Sequence, residues 1–206
     1  MRADILRLKR SQLDEAAHLL ARAFFDDPLT LFTFPDEAER AEAMPRLMRA
    51  ALLNGLDTGM VHVNRETQGA AIWLPPASLA KPSDETGGRA AGDRIAGALG
   101  AEGLRRMILA RDALGDQKDA DVTVEHWHLT IIGVQPELKR RGIGARLLAP
   151  TLERANRSNT ACYLETFREE NLSFYRKYGF DVLATDKVPG GGPRYWTMLR
   201  PPIKSI

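Results

Sequence analysis

One run constrains this chain more than any other: "IIGVQPELKRRGIGARLL", Ile131 to Leu148. It passes from a strand-like apolar pattern, through three cations and two glycines, into helical apolar spacing at Ile143, Leu147, Leu148, Leu152 and Ala155. Strand, glycine turn and helix in that order form a building block of an α/β layer. The first N–H groups of a helix have no internal partner, and its dipole favours an anion there. Gly142 and Gly144 have no side chain to hold a ligand off the backbone. The turn therefore has the chemistry of a phosphate site, with Lys139, Arg140 and Arg141 adding charge, although not all three can face one ligand. Taken alone, a glycine-rich helix start with solvated cations explains the same residues. Spacing excludes two familiar loops. G-x-x-x-x-G-K-[ST] is absent, and in G-x-G-x-x-G the third glycine position is Leu147.

The remaining patterns supply a frame for this unit. "ADILRLKR" reads as a first strand, and Ser11 with Asp14 as the cap of a helix carrying Leu13, Ala16, Ala17, Leu20, Ala23 and Phe24. Pro28 stops it. A second helix is predicted over about 36–54, ended by Asn54-Gly55, and "GMVHVNRE" with "GAAIWLP" reads as a hairpin. Residues 76–121 are rich in Gly, Ala, Ser, Asp and Pro, with weak helical patterns near 89–100 and 102–114. They read as a helical insertion or lid, or as a plain connecting segment. "VTVEHWHLTIIGV" is a long strand, with Trp127, Leu129 and Ile131 predicted on one face and His126, His128, Thr130 and Ile132 on the other. "ACYLET" is a strand, "NLSFYRKYGF" a helix stopped by Gly179, and "FDVLATDKV" with "RYWTML" a closing hairpin. The order predicts an α/β fold with a mixed sheet of about seven strands, in a single domain over 1–206.

Composition limits the partners. With 29 cations against 27 anions the net charge is +2, which argues against a general nucleic-acid or membrane surface and makes any basic site local. No stretch has the length of a signal peptide or a membrane span. The one cysteine, Cys162, allows no internal disulfide, and with four histidines it forms no zinc pattern, so no metal is expected. These features fit a cytoplasmic protein. A homodimer is compatible with the sequence, which does not decide it.

"GVQPELKRRGIGARLL", followed by "ETFREENLSFYRKYGF", resembles the Gcn5-related N-acetyltransferase superfamily. That family's motif is [Q/R]-x-x-G-x-[G/A] at a helix start, and its amides grip the pyrophosphate of acetyl-CoA. Lys139 departs from the usual Gln or Arg, which affects a side-chain contact rather than the backbone cradle. Upstream, "AFFDDPLTLFTFPDEAER" and "AAIWLPPASL" extend the resemblance toward the branch containing puromycin N-acetyltransferase. The resemblance implies a mainly antiparallel sheet flanked by helices, whose central strands splay to bind acetyl-CoA. It implies cofactor contacts from Ile132, Gly133 and Val134, from Lys139, Arg140, Arg141, Gly142, Ile143, Gly144 and Ala145, and from Asn171 and Tyr178. Asn171 reads equally as a cap of its own helix.

Transfer of an acyl group from a thioester to an amine needs a neutral amine, a donor to the carbonyl oxygen and a proton for the departing thiolate. The resemblance implies that the Val134 N–H is the donor to the oxygen and Tyr175 the general acid. Glu165, at a strand end, is the candidate base, with His126 and His128 as alternatives. Cys162 could carry an acyl group, or be a small core residue. "FFDDPLTLFTF" and the closing hairpin with Tyr195 and Trp196 are expected to form the acceptor pocket, and Asp26 and Asp27 either attract a cationic amine or are solvated helix-end carboxylates. The expected activity is acetyl-CoA-dependent N-acetylation of a small-molecule amine, an antibiotic or amino-nucleoside among the options. The second reading is a non-catalytic acyl-CoA-binding sensor or regulatory module.

Overall fold

The computed structural model describes residues 4–79 and 87–202, so residues 80–86 of the 76–121 segment lie outside the described residues. A seven-stranded sheet of order β1-β2-β3-β4-β5-β7-β6 runs through the molecule. Its strands are β1 (Ile5–Arg7), β2 (Met60–Asn64), β3 (Gly69–Leu74), β4 (His126–Val134), β5 (Ala161–Thr166), β6 (Asp181–Lys187) and β7 (Arg194–Arg200). Every neighbouring pair is antiparallel except β4 with β5, which is parallel. Helices α1 (Leu13–Phe24), α2 (Pro28–Thr33), α3 (Glu37–Thr58), α4 (Pro76–Leu79), α5 (Gly87–Ala96), α6 (Ala101–Asp121), α7 (Ile143–Arg157) and α8 (Leu172–Arg176) connect them. This is the predicted α/β architecture, and α4, α5 and α6 lie within the 76–121 segment.

The core is two layers of side chains, one on each sheet face. Ala16, Ala17 and Leu20 of α1 and Met44, Leu47 and Leu52 of α3 pack with Val61, Val63, Ala70 and Ile72. On the other face Leu147, Leu148 and Leu152 of α7 pack with Trp73, Trp127, Leu129, Cys162, Leu164 and Phe180. β3 thus contributes alternate residues to both layers, which is why "GAAIWL" reads as continuously apolar.

Local chemistry explains most helix ends. The Asp27 carboxylate accepts from the Leu29 N–H at 3.1 Å, with Pro28 as the first helical residue, so "DDP" both stops α1 and starts α2. Asp36 caps α3 through the Glu39 N–H at 2.8 Å. Two expectations fail. Ser11 lies in a 3-10 turn (Arg10–Gln12), and Gln12 precedes α1 without a side-chain cap. Asn54-Gly55 does not end α3, which runs on to Thr58. A Cβ on Gly55 would lie 2.7 Å from Ile72 Cγ2 and 2.9 Å from Val61 Cγ2, so this glycine lets the helix press onto the sheet instead of closing it.

A third correction matters for the site. Ile72 pairs with Ile131 but Trp73 pairs with Leu129, so Thr130 is an extra residue in β4. A bulge of this kind shifts the alternation by one. Trp127 and Leu129 share a face with Ile132 and Val134, all packed on the α7 side. Ile131 turns instead to the α1 side, the reverse of the predicted faces for Ile131 and Ile132.

His62, opposite Arg7 at the β1–β2 edge, is buried. Burial first, and the Arg7 charge second, lower its pKa to about 4. The unfolded chain, with an ordinary imidazole, binds the extra proton between about pH 6.5 and about pH 4, so stability is full above that window and falls as pH drops through it. Urea unfolding should show the wild type losing about 2 kcal/mol more than His62→Gln between about pH 7.5 and about pH 5. Equal losses would contradict the buried neutral imidazole.

Candidate active site

The site begins where β4 and β5 part. They pair from His126 with Ala161 to Leu129 with Leu164, and there the pairing stops. β4 continues to Val134, held on its other side by β3. The Gln135 N–H donates to Gln68 O at 2.9 Å, toward β3. Strand alternation then turns the N–H and C=O groups of Ile132 and Val134 away from β3, into the gap. The predicted splay is present, and Ile132 and Val134 lie on its open edge. Gly133 faces α1: a Cβ there would lie 2.7 Å from Leu20 Cδ2 and 3.1 Å from Ala23 Cβ, so its missing side chain seats the helix.

The glycine turn lies at the end of this strand. Gly142 has φ +78°, in the left-handed region that favours glycine, and precedes α7. The first N–H of α7 with a helical acceptor is that of Arg146, bonded to Gly142 O at 3.1 Å. The N–H groups of Ile143, Gly144 and Ala145 come before it. Gly144 faces the Phe174 ring, 3.3 Å from where a Cβ would sit. Lys139, Arg140 and Arg141 are exposed, and Arg140 has φ +63°. Tyr178 packs beside Phe174 with ring centroids 5.2 Å apart, and its carbonyl accepts from Arg200 at 2.9 Å.

A cavity of about 400 Å³ opens beside the gap. Tyr175, Glu165, Thr166, Asn171 and Asp27 line its end at the strands. The Tyr175 ring is wedged against Phe174 and Phe180, at 5.2 and 6.0 Å between centroids. Burial, with the nearby Asp27 charge, raises its pKa, which keeps the phenol protonated. Glu165 Oε2 is 2.7 Å from His128 Nε2 across the parallel strands, both side chains largely buried. His128 and Glu165 are thus one hydrogen-bonded pair rather than alternatives. His126 stands behind, its Nδ1 2.9 Å from Val124 O, its pKa lowered chiefly by burial. Asn171 makes no cap for α8, and its Nδ2 donates to Thr166 Oγ1 at 3.2 Å.

Asp27 enters the cavity, whereas Asp26 is exposed. Burial raises the Asp27 pKa, against the Leu29 N–H and Arg168, whose Nε is 3.4 Å from Oδ2. Arg168 also reaches Glu170 at 3.0 Å and the Asp26 carbonyl, which ties the turn after α1 to the β5–α8 connection. The sequence reading missed Arg168, whose partners Asp26 and Asp27 lie far away in the chain.

The residues expected around an acceptor pocket divide between this cavity and the core. Phe24, Thr30, Thr33 and Phe34 of "FFDDPLTLFTF" line the cavity, but Tyr195 and Trp196 do not. Tyr195 is buried with Ala110 and Val188, and Trp196 packs on the α7 side. Their places are taken by Ile95, Met107 and Arg111 of α5 and α6. Cys162 is buried on the α7 face of β5, and burial pushes its thiol up to about 11, so it is a core residue and not a nucleophile. Among the described residues no cluster could hold a metal ion, and no helix is long and apolar enough to cross a membrane.

Residues 104–182 match the family model described as "Acetyltransferase (GNAT) domain". An uncharacterized N-acetyltransferase of Schizosaccharomyces pombe is 23% identical over 182 residues, covering 84% of this chain and 72% of that protein. The structure described as histone acetyltransferase HPA2 and related acetyltransferase, from Corynebacterium glutamicum, superposes with a TM-score of 0.68 at 19% identity, covering 100% of this chain and 99% of that one. A Drosophila melanogaster polyamine N-acetyltransferase does so with a TM-score of 0.60 at 15% identity, covering 95% and 97%. At these identities the solved structures speak to the fold. The GNAT-type α/β fold, the acetyltransferase match over residues 104–182 and the N-acetyltransferase relative together support an acyltransferase.

Proposed function

We propose that this protein transfers the acetyl group of acetyl-CoA to the primary amine of a small molecule, by direct attack with both substrates bound. The observation that carries the reading is the junction of three features: the parting of β4 from β5, the glycine turn at the strand's end, and a cavity bearing Tyr175 and Glu165 beside both.

Each feature suits one part of the reaction. The N–H groups of Ile143, Gly144 and Ala145 suit a pyrophosphate, with Gly142 shaping the turn and Lys139, Arg140 or Arg141 adding charge from the rim. The outward backbone groups of Ile132 and Val134 suit the amides of a pantetheine arm, and the Val134 N–H suits the thioester oxygen as charge gathers there. Tyr178 stands near the turn through Phe174, and Asn171 is held at the end of β5 by Thr166.

The protons balance through two groups. An ammonium must shed one proton to become a nucleophile. Glu165, backed by His128, accepts it and passes it toward solvent. As the C–N bond forms and the C–S bond breaks, the departing sulfur takes the Tyr175 hydroxyl proton. The new amide nitrogen sheds its surplus proton, which restores the phenol. One proton is released per turnover. The buried, protonated Tyr175 suits a donor, because a phenol with a raised pKa keeps its proton until the thiolate is present.

One solved neighbour forms N-acetylagmatine, which is amine acetylation on the same fold. The resemblance of "FFDDPLTLFTF" and "AAIWLPPASL" to the puromycin-acetylating branch places an amino-nucleoside among acceptors worth assaying.

Tyr175→Phe should lower amine-dependent CoA release by about 10²- to 10⁴-fold in kcat, with KM for acetyl-CoA little changed. Unchanged turnover would remove Tyr175 from the acid role. Glu165→Gln should cost about 10²-fold with a strongly basic amine, and much less with one already neutral at the assay pH. An equal loss for both amines would show that Glu165 does something other than take the ammonium proton.

A further inference from the structure

Resting on the acetyltransferase reading, we propose that the acceptor is a small amine on an apolar body, an aryl- or alkylamine with a single charge, and that the cavity wall selects it. Among the described residues the cavity lining is mainly apolar, with Thr30, Thr33, Thr130 and Arg111 polar besides one further group. Asp27, Glu165, Thr166, Asn171 and Tyr175 stand where β4 and β5 part. The apolar lining includes Phe24, Phe34, Leu47, Met48, Ile95 and Met107, drawn from α1, α3, α5, α6 and the end of α2. The Thr33 hydroxyl, also on the wall, is spent on Leu29 O at 2.8 Å. An amine directed at Glu165 and Tyr175 therefore has its remaining atoms among mainly apolar side chains.

Charge points the same way. Both carboxylates at the polar end already have partners, Asp27 in Arg168 and the Leu29 N–H, Glu165 in His128. Among the described residues the other charged lining residue, Arg111, is a cation, paired with Asp112 at 2.8 Å. A polycation bound here would bury its remote charges without anions, which is costly. An apolar body gains from leaving water at every added carbon. Size adds a limit, since about 400 Å³ is near the lower end of small-molecule sites. Aminoglycosides and peptides exceed it once the thioester end shares the space.

The test is kcat/KM for CoA release at saturating acetyl-CoA, across unbranched alkylamines from propylamine to hexylamine and 2-phenylethylamine, against spermidine, kanamycin and a lysine-containing peptide. We expect a rise of about fourfold per added CH₂ until the cavity is full, with the polycations and the peptide far below 2-phenylethylamine. Ala51, on the cavity wall, provides a second arm. Ala51→Leu should lower the ratio of kcat/KM for 2-phenylethylamine to that for propylamine about tenfold. A flat alkyl series, or spermidine or kanamycin as the best acceptor, would overturn the proposal while leaving the acetyltransferase standing. Absence of release with every amine, from folded protein that binds CoA, would overturn the acetyltransferase reading and this proposal with it. Should Ala51→Leu fail to fold, the wild-type series decides alone.

Discussion

Everything in the site depends on a length of strand that has lost one neighbour. β4 needs both edges satisfied, and β5 serves it only as far as Leu129. From Thr130 onward the chain must leave backbone N–H and C=O groups facing a gap, and in a protein interior such groups need a partner or a ligand. The bulge at Thr130 sits at the point of parting, so the strand changes both partner and phase there. Downstream, the same strand delivers the chain to Gly142, whose left-handed conformation opens α7. The open backbone edge and the bare helix N-terminus are thus consecutive parts of one segment.

The chemical groups are brought to this gap by the elements that flank it. Tyr175 comes from α8, which follows β5 in the chain, and Glu165 comes from the end of β5 itself. Both side chains are largely buried. For Tyr175 this holds the proton on; for Glu165 the neighbour is His128. Arg168 fastens the turn after α1 to the same connection and so fixes Asp27 within the field of Tyr175.

How much of this could be read from sequence follows from how local each feature is. The turn at 139–145, the Gly179 stop and the two hairpins are set by adjacent residues and read correctly. The face assignment of Ile131 and Ile132 failed because the bulge is a property of the register with β3, which the β4 sequence does not contain. The pairing of His128 with Glu165 depends on the parallel register of β4 and β5, so the sequence offered them as rivals. Tyr195 and Trp196 were sent to the wrong place because aromatic residues in a closing hairpin serve a pocket and a core equally well; here α6 covers Tyr195, with its hydroxyl 3.4 Å from Ala113 O. The cavity wall from α5 and α6 was the least legible part, because those helices are polar and glycine-containing and carry only scattered apolar residues.

The central claim is that the open edge of β4 and the start of α7 together hold the donor. Amide hydrogen exchange, followed residue by residue with and without CoA, tests it most directly. The account predicts that CoA slows exchange at Ile132, Val134, Gly144 and Ala145 and leaves the distant edge strand β6 unchanged. Binding of CoA without protection at those amides, or with protection elsewhere, would contradict it.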